Sequence, residues 1–101
     1  MSDKYILDDQ GNPIPEPNVL KWGAWFEENR TKRHVADDLI GDVRVSTVFL
    51  GLNHNFMEGP PLLYETLIFD GPLDGEMERY STRAEAAEGH ARWLALVKGK
   101  E

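Results

Sequence analysis

Asp42-Val-Arg-Val-Ser-Thr-Val-Phe-Leu-Gly-Leu52 and Leu62-Leu-Tyr-Glu-Thr-Leu-Ile-Phe69 are the stretches that decide the fold. Both are short, rich in β-branched and aromatic residues, and apolar on both faces near their facing ends, which is the pattern of central strands. Between them lies Asn53-His-Asn-Phe-Met-Glu-Gly-Pro-Pro61, nine residues where a hairpin normally uses about two to five. The loop carries an imidazole, two carboxamides, a phenyl ring and a thioether, so it reads as a recognition loop on a rigid sheet.

Upstream, Lys4-Tyr-Ile-Leu7 and the stretch around Pro13-Ile14 flank Asp8-Asp-Gln-Gly-Asn12, whose Gly and Asn suit the turn of an opening hairpin. Pro15-Glu-Pro17 introduces a helix running to about Arg30, with Pro17 where a missing N–H costs little. Helical periodicity gathers Val19, Leu20, Trp22, Gly23 and Phe26 on one broad face expected to pack on the sheet. Trp25 falls at the margin of that face, either as a core-edge ring or as a subunit contact. Residues Arg33 to Asp38 form a further strand, and Ile40-Gly41-Asp42 turns it into the central pair. Arg30-Thr-Lys-Arg-His34 concentrates positive charge in an acidic chain, which fits a solvated edge strand or an anion-binding patch.

Downstream, Asp70-Gly-Pro-Leu-Asp-Gly75 is a turn-rich connection, and Glu76 to Tyr80 adds a short edge strand. Thr82 and Glu85 form a capping box that opens the last helix. The inward stripe of that helix runs Ala86, His90, Trp93, Leu94 and Val97, with Gly89 allowing close approach to the sheet. These elements give an α+β fold, an antiparallel sheet with two helices in the approximate order ββαβββα, as one ligand-binding domain over residues 1–101. Apolar residues on both faces of the central strands call for a second cover, so a homo-oligomer, at least a dimer, is expected.

The composition, 41% hydrophobic and 29% charged, suits one globular domain rather than a disordered segment. A net charge of −7 argues against duplex nucleic acid as a partner, because neutralising phosphates requires clustered Lys and Arg. There is no cysteine, no signal peptide and no apolar run near the ~20 residues needed to span a bilayer, so a cytoplasmic protein with no membrane partner is expected.

No diagnostic spacing joins Ser46, His54 and Glu65, so no catalytic residue is assigned. His34, His54 and His90 lack ligand-pair spacing, no Walker or Gly-rich fingerprint is present, and neither a metal nor a cofactor is expected. The remaining groups suit noncovalent recognition. Phe56 and Tyr80 offer aromatic surfaces, Asn53 and Asn55 amides, and Arg79 and Arg83 guanidinium forks, which together can stack on a purine, bind ribose and hold phosphates. His54 belongs to the same loop, as a packing hydrogen-bonder or a ligand contact. Glu65, among Leu63 and Leu67 on its strand face, needs a donor, either an internal Arg or a ligand hydroxyl pair or adenine amino group. Arg79 and Arg83 could instead pair with Glu76, Glu78 or Glu85.

Arg44-Val-Ser-Thr-Val-Phe-Leu-Gly-Leu-Asn-His-Asn-Phe56, followed by Gly59-Pro-Pro61, Tyr64-Glu-Thr66 and Arg79-Tyr-Ser-Thr82, resembles small proteins of phages and prophages. The inferred element order is similar to that of the phage Thoeris anti-defence sponge proteins, which sequester cyclic ADP-ribose isomers made by bacterial TIR-domain proteins. The resemblance implies capture of a cyclic nucleotide without cleavage, in the host cytoplasm, in pockets shared with a neighbouring subunit. It also implies that cyclic oligonucleotides can be further ligands. By residue type, Phe56 would stack on a base, Asn55 would supply polar recognition, and Arg79 or Arg83 would take phosphate. Two other classes stay open: an acidic inhibitor using Glu58, Asp70, Asp74, Glu76 and Glu78 against a host protein, and a small hydrolase of a signalling nucleotide.

Overall fold

The computed structural model describes residues 3–100 and contains β1 (Tyr5–Leu7), β2 (Pro13–Pro15), α1 (Val19–Glu28), β3 (His34–Ile40), β4 (Val43–Phe49), β5 (Tyr64–Phe69), β6 (Met77–Tyr80) and α2 (Arg83–Lys100). The fold is α+β, as the hydrophobic pattern implies. β1 and β2 form a two-stranded hairpin, and β3-β4-β5-β6 form an antiparallel meander in chain order. The short edge strand expected near Tyr80 is β6, and the two runs that flank the long loop are the inner strands. Among the described residues no helix is long and apolar enough to cross a membrane.

The two faces of the sheet differ. Val43, Val45, Thr47 and Phe49 of β4 and Tyr64, Thr66 and Ile68 of β5 are all buried, paired across the strands as Val45 with Ile68, Thr47 with Thr66 and Phe49 with Tyr64. They pack on α2 in two clusters, one with Ala86 and one with Val97, while the rings of Trp25 and Phe26 from α1 meet Phe49 on the same side. The opposite face has no helix over it. There Leu39, Phe69 and Met77 are exposed, alongside the ion pairs Arg44–Asp37 at 2.8 Å and Arg79–Glu65 at 3.0 Å. β3 carries a register irregularity between His34 and Ala36, a bulge of the kind that blunts an edge strand.

Helix α1 departs from its sequence reading in two ways. It begins one residue after Asn18, whose side-chain oxygen caps it by accepting from Leu20 and Lys21, so Pro17 lies outside the helix. Its inward face is also narrower than expected. Trp22, Gly23 and Phe26 are half-buried, but Val19 and Leu20 are exposed, because only the later turns of α1 reach the sheet. Trp25 is half-buried against the core edge. Gly51 makes the fit of α1 possible: its φ is +74°, its carbonyl accepts from the Trp22 indole at 3.1 Å, and the Phe26 ring occupies the space a Cβ would take.

At the start of α2, Thr82 and Glu85 form the expected capping box, each backbone N–H reaching the other side chain at 3.1 Å. Gly89 sits directly over Tyr80, and a Cβ there would overlap the phenol ring. Gly89→Ala sets two effects against each other. Helix propensity would gain up to about 1 kcal/mol, whereas overpacking against a buried ring typically costs about 1–3 kcal/mol. The steric cost should win, so denaturant unfolding should show a net loss of stability. A stabilised G89A would mean that α2 is free to lift from the sheet.

Candidate functional site

The loop between β4 and β5 is braced by its own amides. Asn53 Oδ1 accepts from the backbone N–H groups of Asn55 and Leu62, at 2.8 and 3.0 Å. Asn55 donates from Nδ2 to the Pro60 carbonyl and accepts at Oδ1 from Met57 N–H. His54 Nδ1 donates to the Leu52 carbonyl at 2.9 Å. Asn53, His54 and Asn55 therefore hold the loop in shape, and Phe56 and Met57 at its tip stand 88% and 84% exposed.

The other candidates lie elsewhere. Glu65 and Arg79 satisfy each other on the open sheet face, so the internal Arg partner of Glu65 is Arg79. Tyr80 is buried on the helix-covered face, its hydroxyl 3.0 Å from Thr66 Oγ1 and 3.1 Å from Glu78 Oε1. Arg83 is exposed in the first turn of α2 and makes no ion pair among the described residues. Thus the loop residues, the Glu65–Arg79 pair, Tyr80 and Arg83 occupy separate places rather than one pocket.

Of these candidates only Arg83 borders a cleft beside the opening hairpin. This open cavity of about 660 Å³ is lined by Leu7, Asp8, Asp9, Gln10 and Gly11 of the opening hairpin, Trp25 and Asn29 of the α1 region, and Lys32, His34 and Arg83. Lys32, like Arg83, has no carboxylate partner among the described residues. Asp8 has its Oδ1 engaged by the N–H groups of Gln10 and Asn12, which fixes the hairpin turn as one wall. Leu7 and Trp25 of the cleft lining also belong to or pack against the core cluster that contains Tyr64. Burial pushes its phenol up in pKa, and the nearby Arg83 charge opposes the rise. The sequence signals for this cleft were the basic stretch Arg30–His34 and the marginal position of Trp25. The hairpin wall gave none, because Asp8–Gly11 looks like any turn.

A second polar feature was not visible in the sequence as a unit. Asp38 Oδ2 meets His90 Nε2 at 2.7 Å, His90 Nδ1 meets Thr47 Oγ1 at 2.7 Å, and Thr47 meets Thr66 at 2.6 Å. Tyr80 continues the chain to Glu78, whose Oε1 also accepts from the Trp93 indole at 3.0 Å and from Arg92 at 3.2 Å. The order carboxylate, imidazole, hydroxyl matches that of a nucleophile with its base. However, Thr47 is 0% exposed and His90 4%, so no substrate reaches the hydroxyl. The single Tyr80 proton can serve only Thr66 or Glu78, which makes the run of donors directional. Among the described residues no group of three or more potential ligands gathers to hold a metal.

The fold and the cleft define a small α+β chain with a half-open cavity of mixed charge beside an indole. No protein-family model, curated protein or solved structure matches it.

The Glu78 end of the chain is sensitive to acid. Burial pushes this carboxyl up, but hydrogen bonds from Trp93, Tyr80 and Arg92 outweigh that effect and leave it below its ordinary value. A carboxyl with a depressed folded pKa adds stability above its unfolded pKa of about 4.3 and loses that contribution as pH falls through the folded value. Glu78→Gln should therefore flatten the acid limb of the stability profile in urea titrations between about pH 6 and pH 3. An acid limb as steep as in the wild type would show that other carboxyls set it.

Proposed function

We propose that this chain is an anti-defence sponge of the phage type, which captures a cyclic nucleotide signal in the cleft and holds it without cleavage. A cyclic ADP-ribose isomer is the first ligand to test, and cyclic oligonucleotides are the second. The observation that carries the reading is that Lys32 and Arg83, two cations without carboxylate partners in a chain of net charge −7, line the same cleft as the Trp25 ring. Cations left unpaired amid an excess of carboxylates favour an anionic ligand, and a neighbouring indole favours one with a flat base. The cavity volume falls in the range of small-molecule sites, about 300–1,000 Å³. Asp8, Asp9, Gln10 and Asn29 supply acceptors and amides for ribose hydroxyls and a base edge. An acidic inhibitor fits less well, because Glu78 accepts from Tyr80 and Trp93 within the fold and Asp74 accepts from the Asp70 N–H in its own turn.

Calorimetry with cyclic ADP-ribose isomers should show saturable binding, and heating the complex should return the ligand intact by mass spectrometry. Base stacking is worth about 1–3 kcal/mol and a charged hydrogen bond about 1.5–3 kcal/mol, so Trp25→Ala and Arg83→Ala should each weaken binding by roughly tenfold to a hundredfold. Phe56→Ala distinguishes the cleft from the loop tip: a loss there equal to that of Trp25→Ala would move the base to the loop. A cleaved product would sink capture in favour of hydrolysis, and no binding across the panel would favour a protein target.

The oligomer belongs to the same proposal. The open sheet face is the docking surface for a second copy, because its carboxylates are matched by Arg44 and Arg79 and it exposes Leu39, Phe69 and Met77, so identical copies do not repel there. Sedimentation at micromolar concentration should show a dimer or larger species, and Leu39→Glu should shift it toward monomer. A wild-type monomer at all concentrations would refute this.

A further inference from the structure

The hydrogen-bonded run Asp38, His90, Thr47, Thr66, Tyr80, Glu78 joins β3 to β6, and its protons can be arranged in two directions. Asp38 is a carboxylate acceptor, so His90 Nε2 carries a proton toward it at 2.7 Å. With the ring neutral, Nδ1 can only accept, from Thr47; Thr47 then accepts from Thr66, and Thr66 from Tyr80. In that direction the Tyr80 proton goes to Thr66, and none is left for Glu78. With the ring protonated, Nδ1 can only donate. Thr47 then turns its proton to Thr66, Thr66 to Tyr80, and Tyr80 to Glu78 Oε1, 3.1 Å away. Each hydroxyl has one proton and a partner at bonding distance on either side, so neither direction leaves a gap.

We infer that the run is a two-state proton switch, in which uptake of one proton by His90 reverses all three hydroxyls and delivers a hydrogen bond to Glu78 on the far strand. The only bond formed is N–H at Nδ1; the hydroxyls keep their protons and rotate about their C–O bonds. The proton comes from water by way of the Asp38 edge, because the Asp38 side chain is 49% exposed whereas Thr47 and Thr66 are 0% exposed. The groups that face the run from each packed element fit this exchange. β3 presents Asp38, with His34 farther along the strand at the cleft. β4 presents the neutral Thr47, and β5 and β6 present Thr66 with Tyr64 and Tyr80, phenols that burial keeps protonated. Asp37, Arg44, Glu65 and Arg79 pair with one another on the opposite face. Glu78 stays ionised near neutral pH, since its donors hold its carboxyl below the ordinary value. It already accepts from Arg92 and Trp93 of α2, so the protonated direction adds a donor to a contact that holds the helix.

NMR of the full chain from about pH 8 to about pH 5 tests the switch, by following the His90 ring nitrogens, the Tyr80 ring carbon that bears the hydroxyl and the Glu78 carboxyl carbon. In the wild type all three should step together, at the pH where His90 takes its proton. The Tyr80 hydroxyl proton should show nuclear contacts to Thr66 above that pH and to Glu78 below it. Thr66→Val breaks the run in its middle with little change of volume, so His90 should still titrate while the Tyr80 and Glu78 steps are lost. Thr66→Ser keeps the hydroxyl and should keep all three steps, and Tyr80→Phe should abolish the Glu78 step. A His90 that holds one protonation state across the range would overturn the switch, as would one that titrates while Tyr80 and Glu78 stay flat. A Tyr80 proton that keeps one orientation throughout would refute it in the wild type alone. Steps at Glu78 that persist in T66V and Y80F would also refute it, by showing that the ring charge acts through space.

Discussion

The interaction on which the rest of the structure depends is the buried hydrogen-bonded run from Asp38 through His90, Thr47, Thr66 and Tyr80 to Glu78. It crosses all four strands of the main sheet and ties them to α2. Its inner members are buried, so each polar atom must find its partner there or lose the water it gave up. That requirement fixes the position of α2 more tightly than apolar packing can, because aliphatic side chains tolerate small slides whereas hydrogen bonds of 2.6–3.1 Å do not. Gly89 lets the helix come close enough for the run to close.

From this anchor the cleft follows. With α2 held over the sheet, its first turn carries Arg83 to the cleft that Leu7 also lines. α1 adds Trp25 from the same side, held by ring contacts to Phe49 and by the Trp22 indole on the Gly51 carbonyl. The cleft is thus walled by elements that the sheet already supports. Its cations, Arg83 in the first turn of one helix and Lys32 in the turn after another, share the cleft with Asp8 and Asp9.

The asymmetry of the sheet bears on how such a chain would work. One face is closed by both helices, and the other exposes Leu39, Phe69 and Met77 beside matched ion pairs. Arg44 holds the Asp37 carboxyl below its usual range through a two-point contact, so these charges are directed at each other rather than outward. The cleft is lined by the opening hairpin, the α1 region and the first turn of α2, whereas the open face carries no helix.

The sequence by itself determined the strands, the helices and the direction in which most side chains point, because these depend on local periodicity and turn chemistry. The inner-strand pattern of residues 43–49 and 64–69, the capping box at Thr82 and Glu85, the inward His90 and the close approach at Gly89 were all legible for that reason. Val19 and Leu20 were misjudged because periodicity says which face of a helix is apolar, not how far along it the sheet extends. Only the tertiary structure decided the site. The amides of Asn53 and Asn55 looked available in sequence, yet backbone groups up to nine residues away occupy them. The sequence left the donor to Glu65 open between an internal Arg and a ligand until antiparallel pairing set Arg79 opposite it. The cleft joins Asp8, Trp25 with Lys32, and Arg83 from three separate stretches. Whether a polar side chain is free for a ligand depends on what the fold places beside it, and that is a long-range property which no local pattern encodes.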